Sequence, residues 1–347
     1  MEPSCLTRAA VSVADRADAA GIDVSYEQGA AAEWLARSDV LAVIGFDGSA
    51  TVNGTSQPPG TTAATRADPR VLRVGLASPA GRTPLEIWRT HGPVECGRHG
   101  HIRHAGDGRY GFVAIELDET AHGGIAGAAE AAYRELLDFI ASSNTPHVLR
   151  LWNYLDAINL GAGDDERYRQ FCSGRARGVA GRFPHGYPAA TAIGRRDGAR
   201  SLQVYGLTAR EPGRLIENPR QTSAWRYPRE YGPAAPVFAR AMRDPGGPLL
   251  ISGTAAVVGH ASQHADDLDA QIDETLANLA SLLQTGCGRN ARLGAGSLLK
   301  VYVRDAANAD HVATILRERL PGLDGVLVLH GDICRRDLLV EIDGVHR

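Results

Sequence analysis

A carboxylic acid that must deliver a proton near neutral pH needs an apolar setting, and Glu341 has one. It stands in DLLVEIDGV, with Leu338, Leu339, Val340 and Ile342 around it. On an extended strand these neighbours withdraw the carboxyl from water, and desolvation disfavours its charged form. General acids are tuned in this way. The competing reading is a solvent-facing Glu whose neighbours Val340 and Ile342 supply the buried face. In HVLRLWNYLDAIN, period-two alternation sets Arg150, Trp152 and Tyr154 on one face and Leu149, Leu151 and Asn153 on the other. An Arg beside a Tyr hydroxyl can clamp a carboxylate; a surface face with Arg stacked on Trp has the same pattern. In ENPRQTSAWRYPREYGP, Arg220, Gln221, Arg226 and Tyr227 can complete an anion pocket or anchor a proline-rich loop.

Other chemistries lack their residues. There is no GxGxxG after a strand, no GxxxxGK[ST] and no GxSxG, so nucleotide cofactors and the common serine hydrolases are without their fingerprints. Lys300 is the chain's one lysine, which confines Schiff-base chemistry to that position. The five cysteines, Cys5, Cys96, Cys172, Cys287 and Cys334, are far apart and form no CxxC pair, so they read as reduced thiols, Cys334 as a small buried one. His260 and His264 stand at i, i+4 but have no third ligand in their motif, and no metal is expected. A net charge of -3 leaves no positive field for a polyanion, which argues against nucleic acid. No stretch approaches the ~18 apolar residues of a membrane span, and MEPSCLTRAAVSVADRADAAG lacks the apolar core of a signal peptide, so a cytoplasmic protein is expected.

The elements that must position these residues come as a repeat. From Ala128 a helical pattern, HVLRLWNYLDAIN as a strand into a turn, ERYRQFCSGRARGV as a helix, and YPAATAIG and SLQVYGLTA as strands follow one another. From Asp267 the order returns: a helix, LLKVYVRDAAN, the helical ADHVATILRERL, GVLVLHG and DLLVEIDGV. Superposing the two sets Asp156 on Asp305 and Tyr205 on Glu341. Candidate strand pairs, GRYGFVAIEL and PLLISGTAAVVG, precede each half, and the order β-β-α-β-α-β-β predicts an α+β fold of mixed sheets with helices on one face. A Thr/Gly/Pro-rich stretch near 50–70 reads as a long surface loop. The composition, 44% hydrophobic and 22% charged over 347 residues, suits such a globular chain.

The strings HVLRLWNYLDAIN, ERYRQFCSGRA, FPHGYPAATAIG, ENPRQTSAWRYPREYGP, LLISGTAAVVGHAS and LLVEIDGV together resemble the chorismatase family, from about His147 to Arg347. The last hundred residues also resemble a RidA (YjgF-type) domain. The resemblance implies two RidA-like units, residues 1–235 and 236–347, with the active site in the cleft between them, no cofactor, and a monomer acting on chorismate. It implies Glu341 as the acid that protonates the enolpyruvyl methylene carbon. It matches Arg150, Tyr154, Tyr205 and Arg220 to the residues holding the two carboxylates. One branch of the family hydrolyses chorismate to a dihydroxycyclohexadiene carboxylate; another yields 3-hydroxybenzoate without incorporating water. Cys334 and Gly253 fit the second branch. Imine deamination of the RidA type requires an Arg shortly after a Pro, where PGLDGV offers Gly322 and Leu323 after Pro321.

Overall fold

The computed structural model describes residues 21–46, 68–79, 81 and 83–347. From their first helix onward both repeats fold as read, but GRYGFVAIEL, taken as a strand pair, holds a single strand. The first supplies β6 (Ile102–Gly106), β7 (Tyr110–Asp118), α2 (Ile125–Ala141), β8 (His147–Asp156), α3 (Arg167–Gly178), β9 (Ala189–Arg195) and β10 (Ser201–Ala209). The second supplies β12 (Ala241–Arg243), β13 (Leu249–Thr254), α4 (Leu268–Cys287), β16 (Ser297–Val303), α5 (Ala309–Arg319), β17 (Gly325–His330) and β18 (Val340–His346). With the edge strands β5 (Glu95–His99) and β11 (Arg214–Ile216) they form two six-stranded sheets, ordered β5-β6-β7-β10-β8-β9 and β11-β12-β13-β18-β16-β17. β11 thus joins the second sheet ahead of the 235/236 boundary drawn from the sequence. The apparent pair in PLLISGTAAVVG is one long strand, β13, followed by a small hairpin of β14 (Val257–Val258) and β15 (Ala261–Ser262).

A smaller sheet before the repeats was not foreseen. β1 (Asp23–Glu27), β2 (Val40–Phe46), β3 (Val71–Val74) and β4 (Leu85–Arg89), with the one-turn helix α1 (Ala31–Leu35), give the order β1-β4-β2-β3. This is the connectivity of β7-β10-β8-β9 and of β13-β18-β16-β17. In all three the second and third strands pair in parallel and the fourth runs antiparallel between the first two. Most of the loop expected near 50–70 lies outside the described residues.

Helices cover one face of each sheet. α2 presents Ala128, Ala129, Ala132, Tyr133, Leu136 and Ile140 to its sheet, and α4 and α5 do likewise with Ile272, Leu279, Leu283, Val312 and Leu316. α3 lies close against α2 because Gly174 carries no Cβ; one there would sit 1.9 Å from the Ala126 carbonyl oxygen. The helix-free faces turn inward and share one core, which joins Leu41 and Trp88 to Phe112, Trp152 and Tyr205 and to Leu250, Tyr302 and Leu329. Burial on both faces explains why β16 is enclosed along its whole length.

Candidate active site

Glu341 and Gly253 meet where one strand loses its regular pairing. β13 pairs Ile251 with Gly344 and then Thr254 with Ile342, which leaves Ser252 and Gly253 opposite Asp343 as a β-bulge. The Glu341 carboxyl occupies the space this opens: a Cβ on residue 253 would lie 2.0 Å from Glu341 Oε1 and 3.3 Å from Thr191 Cγ2. The bulge is fixed from behind, where Gly253 N–H donates to Thr191 Oγ1 at 2.9 Å. Glu341 is 5% exposed. Burial, reinforced by the nearby Asp343 and opposed by Arg150, Arg240 and Arg335, raises its pKa to about 8. The apolar-strand reading therefore holds over the solvent-facing one: Val340 and Ile342 turn to the helices, and Glu341 turns to the opposite, also buried, face.

The cleft above this acid has a volume of about 470 Å³ and is lined from both repeats, by Glu166, Tyr168 and Arg169 from one and by Gly253, Val257, Cys334, Arg335 and Glu341 from the other. The segment between β11 and β12 closes it with Gln221, Tyr227, Tyr231, Phe238 and Arg240. Four arginines line it: Arg169, Arg240, Arg335 and Arg336. Arg335 lies 4.1 Å from the Tyr231 ring centroid and 5.1 Å from that of Tyr227, and its Nη1 donates to His260 O and Ser262 Oγ. Arg240, almost wholly buried, donates from Nη2 to Thr222 O and to Tyr227 Oη, both at 2.7 Å, while its buried Nε has no protein partner.

Cys334 lines the same cleft from the loop between β17 and β18. Burial first, then the neighbouring Glu341, pushes its thiol well up, so it is a neutral S–H and no thiolate nucleophile. Arg304, just beyond β16, holds that loop in place. Its Nε donates to Leu338 O, Nη1 to Asn159 Oδ1 and Asp332 Oδ1, and Nη2 to Ile333 O and Arg335 O, all between 2.7 and 3.0 Å.

Of the residues singled out from the sequence, the structure brings Glu341, Gly253 and Cys334 together in this cleft. Arg150, Tyr154 and Tyr205 do not line it. They are enclosed between the sheets, Arg150 stacked 4.4 Å from the Trp152 ring and Tyr154 joined to Tyr302 by a 3.0 Å hydroxyl contact. The alternation in β8 was right about the face, but that face is turned into the shared core. Arg220 also points elsewhere, to Glu274 on α4, while the adjacent Gln221 lines the cleft. His260 turns to Tyr231 and His264 to Glu274. The arginines not singled out are Arg169, Arg240, Arg335 and Arg336; the signal for Arg335 was its place directly after Cys334 and six residues before Glu341. Pro321, Gly322 and Leu323 fall outside this cleft, the latter two in a separate groove beside α5.

Residues 86–208 match the family model described as chorismatase FkbO/Hyg5-like, N-terminal. A chorismatase from Streptomyces rapamycinicus is 39% identical over 275 residues, 75% of this chain and 81% of the relative. A 3-hydroxybenzoate synthase from Streptomyces hygroscopicus is 37% identical over 292 residues, 79% and 84% of the two chains. A solved chorismatase structure superposes with a TM-score of 0.81 at 32% identity, covering 94% of this chain and 99% of that one. With the whole architecture shared and sequence identity extending over most of both chains, the cleft that holds Glu341 is that of an enzyme, and the chain belongs to the chorismatase family.

Proposed function

We propose that the cleft binds chorismate and releases pyruvate and 3-hydroxybenzoate, with Glu341 as proton donor. The observation that carries this reading is a buried carboxyl, protonated up to about pH 8, in a cleft that four arginines also line. Arg240 and Arg335, which line the cleft beside Glu341, are suited to the substrate's two carboxylates, and Tyr227 and Tyr231 wall the ring. Glu341 gives its proton to the enolpyruvyl methylene carbon, and the resulting oxocarbenium weakens the ether bond to the ring. The neighbouring ring hydroxyl displaces pyruvate and gives up its proton, which returns to Glu341; one ring C–H proton then leaves to restore aromaticity as the phenolic oxygen gains one, so that pyruvate and the phenol account for every atom of chorismate without water. The neutral Cys334 thiol lies beside the acid as a group for those later proton movements, and Gly253 lets the acid sit low on the strand. Because the two repeats that wall the cleft lie in one chain, the reading takes a monomer as the working unit and places it in the cytoplasm.

The test is to incubate the protein with chorismate in ¹⁸O-labelled water, with EDTA and no added nucleotide. The expected products are pyruvate and 3-hydroxybenzoate with an unlabelled phenolic oxygen. A dihydroxycyclohexadiene carboxylate would assign the hydrolytic branch, and no pyruvate at all would overturn the reading. Glu341→Gln should retain the fold and lose about 10²–10⁴-fold in turnover, the usual worth of a general acid.

A further inference from the structure

The chemistry above uses Glu341 and leaves a second buried carboxylate beside it without a role. Asp343 is 1% exposed. It stands two residues further along β18, on the same face and about 6.6 Å away along the strand, opposite the bulge that carries Gly253. Its Oδ2 accepts hydrogen bonds from Trp152 Nε1 at 3.0 Å, Thr191 Oγ1 at 2.9 Å and Tyr302 Oη at 3.0 Å, with Arg150 Nη2 at 3.3 Å. Donors from three strands thus converge on one oxygen. The Thr191 hydroxyl is used completely: it donates to Asp343 and accepts from Arg150 Nη2 and from Gly253 N–H. Through that single oxygen Asp343 is coupled to the glycine against which the acid rests.

Charge follows the same geometry. The groups that face Glu341 are Asp343 on its own strand, Tyr302 directly opposite it on β16, Arg150 on β8, Arg240 ahead of β12, and Cys334 and Arg335 on the loop before β18. The three cations favour an ionised acid. Arg150 lies deepest, and its guanidinium is occupied by Asp343, Thr191 and Leu151 O.

We propose that Asp343 is a positioning residue for Glu341: it engages Arg150 so that this cation does not pair with the acid, and through Thr191 it fixes the bulge on which the acid's carboxyl is seated. This rests on Glu341 being the proton donor, yet it can be tested without turnover. The carboxyl band of protonated Glu341, identified by its loss in Glu341→Gln, is followed by infrared titration in the wild type, Asp343→Asn, Thr191→Val and Thr191→Ser. Without the Asp343 charge Arg150 is free to stabilise ionised Glu341, so in Asp343→Asn the band should vanish at a pH lower by about one to two units. Thr191→Val should move it the same way by less, and Thr191→Ser should restore the wild-type midpoint. The alkaline fall of kcat/KM with chorismate should move in parallel, because the protonated form is the active one; a residue that only supports the fold would lower activity and leave the limb in place. An unmoved midpoint in Asp343→Asn overturns the inference. If that variant does not fold, Thr191→Val decides, and a wild-type midpoint there overturns it. A wild type inert toward chorismate defeats the functional reading alone, since the infrared midpoints still decide the role of Asp343.

Discussion

Burial and a neighbouring carboxylate both act to keep Glu341 protonated, and the cations around it are held in contacts of their own. The burial of Glu341 was legible in the sequence because its environment is local: a Glu within an apolar strand is buried with it. The arginines that line the cleft were not, because every Lys/Arg position but Lys300 is Arg, and burial against partners, rather than residue type, separates a guanidinium inside the core from one at the cleft. Arg150 is enclosed in the core against Trp152 and Asp343. Arg240→Lys and Arg335→Lys keep the charge but lose the planar fork and its stacking on Tyr227 and Tyr231. Each should raise KM for chorismate by about tenfold or more, the worth of one charged hydrogen bond. Arg220→Ala, which breaks only the contact with Glu274, should change KM little. Steady-state kinetics with all three variants checks this, and a larger KM effect at Arg220 than at Arg335 would reverse the assignment.

At the scale of elements the repeat was readable because strands and helices carry their periods over many residues, and β10 begins and ends where its pattern does. Connections carry no such period. The bulge at Gly253 and the loop between β17 and β18 are fixed by contacts far off in the chain, the loop by Arg304 reaching back to Asn159 and across to Leu338. That guanidinium makes five hydrogen bonds, which an ammonium with three donors cannot reproduce. Arg304→Lys should therefore let the segment bearing Cys334 and Arg335 drift, at a loss of about ten- to a hundredfold in kcat/KM, since misplacement of about 1 Å costs on that order. Amides of residues 332–338 should exchange hydrogen faster. Water reaching the loosened cleft should also raise the share of hydrolysis product. Unchanged exchange in that loop together with unchanged kinetics would show that the loop needs no such tie.

Across the whole molecule three sheets of one connectivity meet by their helix-free faces. The first escaped sequence reading because its helix is a single turn and its strands are short, so that little periodicity remained to detect. It is bound to the others by more than apolar contact. Lys300, the lone lysine, projects from β16 to an ion pair with Glu86 on β4, lies 3.4 Å from Tyr205 Oη on β10, and stands 5.0 and 5.3 Å from the rings of Phe46 and Trp152. Burial alone lowers the affinity of an amine for its proton, but Glu86 and the other negative neighbours outweigh it, and the pKa of Lys300 is raised. A charge pair in such a place adds little net stability, yet removing one member strands the other without water, at about 3–5 kcal/mol. Lys300→Met should cost on that order in urea unfolding, a large part of a typical domain's stability. Glu86→Gln keeps the acceptor that Trp88 Nε1 uses at 2.8 Å while removing the charge. The double variant Glu86→Gln/Lys300→Met should therefore recover most of the loss, giving a coupling energy that a double-mutant cycle reads directly. Additive losses would mean that Lys300 acts here by its volume and aliphatic stem, and that the first sheet is held on by packing alone.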